Sequence, residues 1–256
     1  MNQFSRSELV FGKPAMERLF ESKVAVFGVG GVGGFAVEAL ARSGIGSLDL
    51  FDNDRICLTN LNRQIHATTS SIGKYKVDVA KERVLDINPA AIVFAHRLFY
   101  VPETSMNVDL SKYDHVIDAI DTVSGKLELA VKSYEAGVPI ISSMGAGNKV
   151  NPASFEVADV FETSVCPLAR VMRQELRKRG VPRLKVVFSK ELPIAPRKDA
   201  SHEEDECTCV ACAEGRPGFR RQTPGSTSFV PAVVGMIIAG EVIKSLLEAR
   251  QQPHSE

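Results

Sequence analysis

The stretch Lys23–Gln64, KVAVFGVGGVGGFAVEALARSGIGSLDLFDNDRICLTNLNRQ, constrains the fold more than any other part of the chain. Val24 to Phe27 is a short apolar run of strand type. Gly28, Gly30 and Gly33 follow in G-x-G-x-x-G spacing, with an extra glycine at Gly31. Ala36 to Ala41 continues at helical period, and Leu48 to Phe51 is a second strand that ends at Asp52. Strand, glycine turn, helix, strand and acid make up the dinucleotide-binding half-unit. Gly28 makes the tight turn, Gly30 lets backbone approach a phosphate, and Gly33 lets helix and strand sit close. The helix N-terminus offers unpaired N–H groups to an anion. Asp52 is placed to accept ribose hydroxyls. On its own the motif fits NAD, FAD, S-adenosylmethionine or ATP.

Composition removes several classes of function. The 256 residues carry a formal net charge of +0, so any polyanion site must be a local patch. The N-terminus MNQFSRSELV has no apolar signal core, and the uncharged run 229–240 is too short to span a bilayer. Five unevenly spread cysteines do not suggest a secreted disulfide scaffold. A cytoplasmic protein is expected, with peripheral membrane contact through the last helix left open. Before the first strand, Leu9, Val10, Met16, Leu19 and Phe20 predict one amphipathic helix packed on the domain or on a second subunit, with Arg6 ahead of it.

The loop after Asp52 narrows the ligand. Asp54, Asn60, Asn62, Arg63 and Gln64 cluster there, and Lys76 opens a helix predicted over 74–87. A hydride-transfer enzyme has no evident use for Arg63, whereas an enzyme handling a triphosphate does: guanidinium neutralises charge on phosphoryl oxygens. The run HVIDAIDT (115–122) predicts a buried strand ending in Asp118 and Asp121. Acids at the carboxyl end of a central parallel strand face the ligand crevice, and Asp121 is placed to hold Mg2+ bridging the phosphates. Asp118 is expected to orient it or to bond the nearby loop.

Beyond this, a helix is predicted near 125–136, strands over 138–143 and 155–160, a helix over 164–180, a strand over 184–188 and a closing helix over 229–250. Strands alternating with helices give a Rossmann-like, doubly wound, mainly parallel α/β sheet with helices on both faces. The chain is expected to form a single domain: a nucleotide-binding core to residue 160, a basic helix and Cys-containing loop over 161–228, and the closing helix over 229–250. Arg170, Arg173, Arg177 and Lys178, with Arg179, Arg183, Lys185 and Lys190, face only Glu175 in sequence and are candidate RNA phosphate contacts; an ordinary solvated helix face fits equally. Cys207, Cys209 and Cys212 lie in C-x-C-x-x-C spacing, with His202 nearby; a structural zinc site usually needs four ligands, so reduced thiols on a loop fit better.

Together, GVGGVG at 28–33, Asp52, TNLNRQ at 59–64, Lys76 and DAID at 118–121 resemble the ATP-dependent activating enzymes related to ubiquitin-activating enzyme. That group includes the adenylyltransferases of molybdopterin and thiamine biosynthesis. Within it, FSRSELVFG, ALARSGIGSLDLFDNDRICLTNLNRQIHA and VIDAIDTVSGK look most like the dehydratases of threonylcarbamoyladenosine in tRNA. The resemblance implies a homodimer in which Arg6 reaches the partner's ATP. It also implies Gly30 and Gly31 at the phosphates, Asp52 at ribose, Asn60, Arg63 and Lys76 at the triphosphate, and Mg2+ on Asp121. The two C-x-x-C zinc pairs common in sulfur-carrier adenylyltransferases are missing, which weakens that alternative. Cys166, before Pro167, is a weaker candidate for an acceptor cysteine. A monovalent cation, zinc and sulfur-transfer protein partners stay open at this point. A nucleotide-sensing scaffold and an NAD-dependent oxidoreductase are the remaining alternatives.

Overall fold

The computed structural model describes residues 2–195 and 224–248. Seven strands form one sheet in the order β3-β2-β1-β4-β5-β7-β6. They are β1 (Lys23–Phe27), β2 (Ser47–Phe51), β3 (Ile92–His96), β4 (His115–Asp118), β5 (Ile140–Ser143), β6 (Phe155–Asp159) and β7 (Lys185–Ser189). All neighbours run parallel except β6, which pairs antiparallel with β7 at the sheet edge. Only the short 3-10 turn Pro152–Ser154 lies between β5 and β6, whereas a parallel crossover needs a longer, usually α-helical, connection. The strand β7 lies between β5 and β6, which makes residues after 160 part of the same sheet.

The helices are α1 (Ser5–Phe11), α2 (Lys13–Glu21), α3 (Gly33–Arg42), α4 (Lys76–Ile87), α5 (Pro102–Ser105), α6 (Val123–Glu135), α7 (Pro167–Lys178) and α8 (Val230–Glu248). Strand β1 shows why the sheet must be covered twice. Val24 and Val26 enter one core with α3, α4 and α8, while Ala25 and Phe27 enter another with Leu129 of α6. An unbroken apolar run is what a strand buried on both faces requires. Phe27 stacks on Phe51 with ring centroids 4.3 Å apart, fixing β1 against β2.

One N-terminal helix was expected and two form. Gly12 breaks the run at φ +80°, and Pro14 starts the second helix in its first turn. Met16 and Leu19 are buried in the main core, but Leu9 and Val10 stay 88% and 78% exposed. The last helix is also longer than its uncharged segment implied. At 19 residues and a mean hydropathy of 1.8 it has the length to cross a bilayer. Its Val230, Val234, Ile238, Val242 and Leu246 are buried in the same core as β1 and α3, which is the burial of an internal helix. Gly235 permits this: a Cβ there would sit 2.4 Å from the carbonyl oxygen of Val32.

The glycine turn is built by two close approaches. Gly28 has φ +86°, and a Cβ on it would lie 2.6 Å from the Ala119 carbonyl oxygen at the end of β4. A Cβ on Gly33 would lie 1.8 Å from the Gly28 carbonyl oxygen, so α3 starts against the strand it follows. At Gly30, by contrast, the nearest atom would be 3.9 Å away. Gly33→Ala should therefore destabilise the protein by about 2–4 kcal/mol, lowering Tm by about 5–15 °C in thermal circular dichroism, whereas Gly30→Ala should leave Tm within about 2 °C.

Candidate active site

Strands β1 and β4 are neighbours, yet one is followed by a chain running toward β2 and the other by a chain running toward β5. The sheet order reverses between them, which opens a crevice at their carboxyl ends. The glycine turn after β1 and the segment Ala119–Asp121 after β4 form its floor. The loop 52–66 and the first turn of α4 form one wall.

Asp52 directly follows β2. Its Oδ2 accepts from the Val29 N–H at 2.8 Å and its Oδ1 from the Asp54 N–H at 2.8 Å. The carboxylate thus fixes the glycine turn, and each oxygen keeps a lone pair for a ligand hydroxyl. Burial pushes its pKa up from the usual carboxylate range, and the Lys76 charge opposes the rise. Lys76, the first residue of α4, is buried, with Nζ 2.7 Å from Asp54 Oδ2. Its backbone N–H also donates to the Asp54 carbonyl at 3.0 Å. Asp54 therefore holds a cation beside Asp52 that would otherwise be stranded in a desolvated place.

Asn60 accepts the Cys57 N–H at 3.2 Å, closing the short turn that presents Arg63. The Arg63 stem lies against Gly31, its Cγ 3.5 Å from where a Cβ would stand. Arg63 Nη1 donates to the Thr59 carbonyl at 2.7 Å and to Asn62 Oδ1 at 2.9 Å. Partial desolvation lowers its pKa from the ordinary arginine value, and it remains a cation. Gln64 is buried beside Gly30, and its Oε1 has no partner among the described residues. His66 is 3% exposed against Gly34, with neither ring nitrogen bonded among the described residues. Burial, aided by Lys76 and Arg83, lowers its pKa to about 4.

The two acids after β4 separate in role. Asp118 is fully buried, forms an ion pair with Lys126 at 3.1 Å, and accepts from the Ser142 hydroxyl and the Ile120 N–H. It bonds the adjoining loop, as one of its two expected roles required. Asp121 is exposed at the crevice. Among the described residues no three His, Cys, Asp or Glu side chains cluster as a metal cage. A single exposed carboxylate fits Mg2+, which is usually held by one or two carboxylates together with substrate phosphates.

Other expected residues lie elsewhere. Arg6 is exposed on α1. Arg170, Arg173, Arg177 and Lys178 lie on α7, whose apolar face joins the cluster around Val186 and Phe188. The acids opposing this basic stretch prove more numerous than sequence neighbours suggested. Lys178 and Arg179 pair with Glu175, Lys185 with Glu241 and Lys190 with Glu156. Arg173 bonds Thr163, and Arg177 lies 5.2 Å from the Phe161 ring centroid. Cys166 is 2% exposed within the α7 cluster, which closes its thiol to an incoming acyl group. His202, Cys207, Cys209 and Cys212 lie outside the described residues.

Sequence reasoning missed Lys126, Ser142 and the hydrogen bonds that tie residues 225–226 to Asn62 and Asn148. Asn62 Nδ2 donates to the Ser226 carbonyl at 3.1 Å, and Asn148 and Gly225 exchange two hydrogen bonds of 2.6 and 2.8 Å. The one available signal for Lys126 was a lysine on the apolar, inward face of a predicted helix.

A glycine turn with Arg63 against it and a buried lysine beside Asp52 are what a nucleotide-handling site of the adenylating kind requires. The chain matches the ThiF family over residues 4–256 and belongs to that family. It is 45% identical over 249 residues to tRNA threonylcarbamoyladenosine dehydratase of Bacillus subtilis, covering 97% of this chain and 96% of the relative. The crystal structure of Escherichia coli tRNA N6-threonylcarbamoyladenosine dehydratase in complex with AMP superposes with a TM-score of 0.83 at 30% identity, covering 98% of this chain and 96% of that one. Similarity to the adenylyltransferase and sulfurtransferase uba4 of Aspergillus niger, 35% identical, extends over only 49% of this chain and 26% of the relative.

Two tests follow from the buried groups. Lys126→Met strands the Asp118 charge and should cost about 3–5 kcal/mol in urea unfolding, most of it recovered in the double variant with Asp118→Asn. His66 and His115 both have folded pKa values near 4, below the ordinary 6.5, because burial disfavours the imidazolium. Their contribution is complete above pH 6.5 and is lost as pH falls toward 4, because the unfolded chain takes up protons that the folded chain refuses. The loss should reach about 3 kcal/mol per histidine near pH 4, and His66→Gln should flatten the urea midpoint profile between those pH values.

Proposed function

We propose that the protein is an ATP-dependent dehydratase of threonylcarbamoyladenosine in the anticodon loop of tRNA, acting in the cytoplasm. The observation that carries the reading is the pair of cations at the glycine turn, Arg63 against Gly31 and Lys76 held by Asp54, where a hydride-transfer site would need none. The similarity to the dehydratases over nearly the whole chain supports the same substrate class.

The threonyl carboxylate of the nucleoside attacks the α-phosphate of ATP, and pyrophosphate leaves. Arg63 and Lys76 offset the charge that gathers on the phosphoryl oxygens, and the backbone N–H groups at the start of α3 add a fixed partial positive charge. Asp52 orients the ribose, and Asn60 keeps the Arg63 turn in shape. Asp121 would hold Mg2+ with the phosphates, supplying charge neutralisation there. In the second step the carbamoyl-side nitrogen of the same nucleoside attacks the activated carbonyl, a ring closes and AMP leaves. The reacting atoms share one nucleoside, so proximity replaces a covalent cysteine. This agrees with the burial of Cys166.

Two copies of the chain complete the site, Arg6 of one protomer reaching the ATP of the other. The exposed Leu9 and Val10 on the same short helix support an apolar contact there. The tRNA backbone meets the α7 face, where exposed Arg170 has no acidic partner among the described residues. Activation of a ubiquitin-like sulfur-carrier protein is the second reading, and the half-length similarity to uba4 is its only support.

Incubation with MgATP and tRNA carrying threonylcarbamoyladenosine should convert that nucleoside to one lighter by one water, seen by nucleoside mass spectrometry. An unchanged nucleoside from an ATP-binding protein would remove the reading. Arg63→Ala should lower pyrophosphate release by about a hundredfold or more. It should leave unfolding within about 1 kcal/mol of the parent, because its bonds are to an exposed turn.

A further inference from the structure

A second cavity, of about 710 Å³, opens at the edge of the sheet opposite the glycine turn. It lies where β4, β5 and β7 begin, under the last turns of α6 and α8. Its volume is within the range of roughly 300–1,000 Å³ typical of small-molecule sites. Its walls are mostly apolar, with Ala130 and Ile140 among them, and the polar groups on them are unevenly satisfied.

The acids are fully engaged. Asp159 accepts the N–H groups of Phe161 at 2.9 Å and Leu184 at 3.1 Å. Glu241 pairs with Lys185 at 3.3 Å and Lys244 at 2.7 Å. Three other groups are left over. Arg183, exposed at the rim, has no acidic partner among the described residues. Ser133 is fully buried, and its hydroxyl has no hydrogen-bond partner there. His115 is 3% exposed, and its Nδ1 is 3.0 Å from the Val116 carbonyl. That contact puts the proton on Nδ1. The ring is neutral at physiological pH, its pKa lowered to about 4 by burial. Nε2 is then a hydrogen-bond acceptor.

A buried hydroxyl left without a partner is costly unless something else supplies the bond. We propose that this cavity is a binding site for a small organic anion, distinct from the nucleotide crevice. Arg183 takes the anionic head, and an N–H or O–H on the apolar body of the ligand reaches Ser133 and His115 Nε2. Free carboxylates would repel such a ligand; the charge of Glu241 is offset by Lys185 and Lys244, and both oxygens of Asp159 are turned to the backbone N–H groups of Phe161 and Leu184. The site shares β4 and β5 with the crevice: β4 begins at His115 and ends at Asp118, which bonds Ser142 of β5.

The test is a titration of the folded full chain followed by heteronuclear NMR. N-acetyl-L-leucine is the carboxylate probe, 4-aminophenyl phosphate the phosphate probe and N-acetyl-L-leucinamide the uncharged control. At least one anion should saturate shifts at Val138–Ile140, and the stronger of the two identifies the head group. The control should bind about tenfold more weakly, and Arg183→Ala should weaken the anion by about tenfold, as expected for loss of one charge-assisted hydrogen bond. ATP binding, measured in the same variant, should not change. Ser133→Val, once its thermal unfolding shows a folded protein, should weaken the anion and the control alike. The proposal is overturned if neither anion saturates, if the uncharged control binds equally well, if Arg183→Ala leaves affinity unaltered, or if the shifts fall at residues 28–33 instead.

Discussion

The contact on which the crevice depends is the one between the first residue of α3 and the carbonyl of Gly28. A Cβ at position 33 would overlap that oxygen, so helix and strand meet backbone to backbone. This approach aims the free N–H groups at the start of α3 into the crevice instead of into solvent. The next strand over is drawn in by the same logic, because Gly28 packs on the Ala119 carbonyl and Ala119 N donates to the Phe27 carbonyl at 2.8 Å. Asp52 then fastens the turn by accepting the Val29 N–H. The geometry of the glycine turn is thus a product of missing side chains and one carboxylate, before any cation near it is considered.

The charged residues obey a common rule of desolvated sites: each cation near the turn is held by an acid or a carbonyl that keeps it in place. Lys76 has Asp54, Lys126 has Asp118, and Arg63 has the Thr59 carbonyl. The two lysines differ in what surrounds them. Lys126 is sealed between β4 and β5 and serves the sheet, whereas the acid that holds Lys76 is half exposed and leaves it beside the ribose-side carboxylate. Ion pairs of 2.7 and 3.1 Å therefore stand for unlike tasks, and burial of the acid separates them.

The half-unit 23–64 was legible because its signals are local: an apolar run, glycines at fixed offsets and an acid at a strand tip. The same holds for Lys76 and the strand ending at Asp118, and the ThiF relationship agrees with them. What escaped was set by partners distant in sequence. Asp118 finds Ser142, Gly235 finds Val32, and Asn148 finds Gly225. The N-terminal helix was misjudged for a different reason. Hydrophobic period ran through Gly12, while the Gly-Lys-Pro punctuation, visible in the sequence, broke it. The basic stretch 170–190 looked bare because two of its acids, Glu241 and Glu156, arrive from other elements to meet Lys185 and Lys190.

The place of α8 in the core bears on how the protein is made. Its apolar residues cover β1 and α3, which are separated from it by most of the chain. While the chain emerges from the ribosome, the glycine turn and the strands around it have formed their local bonds but lack a lid on one face until position 230 and beyond has been synthesised. At a synthesis rate of about 5–20 residues per second, that face waits for roughly 10–40 s after β1 appears. The protein completes its nucleotide fold last at the place where its sequence signal comes first, and in that interval Val24, Val26, Val37 and Leu40 are the side chains a chaperone would meet.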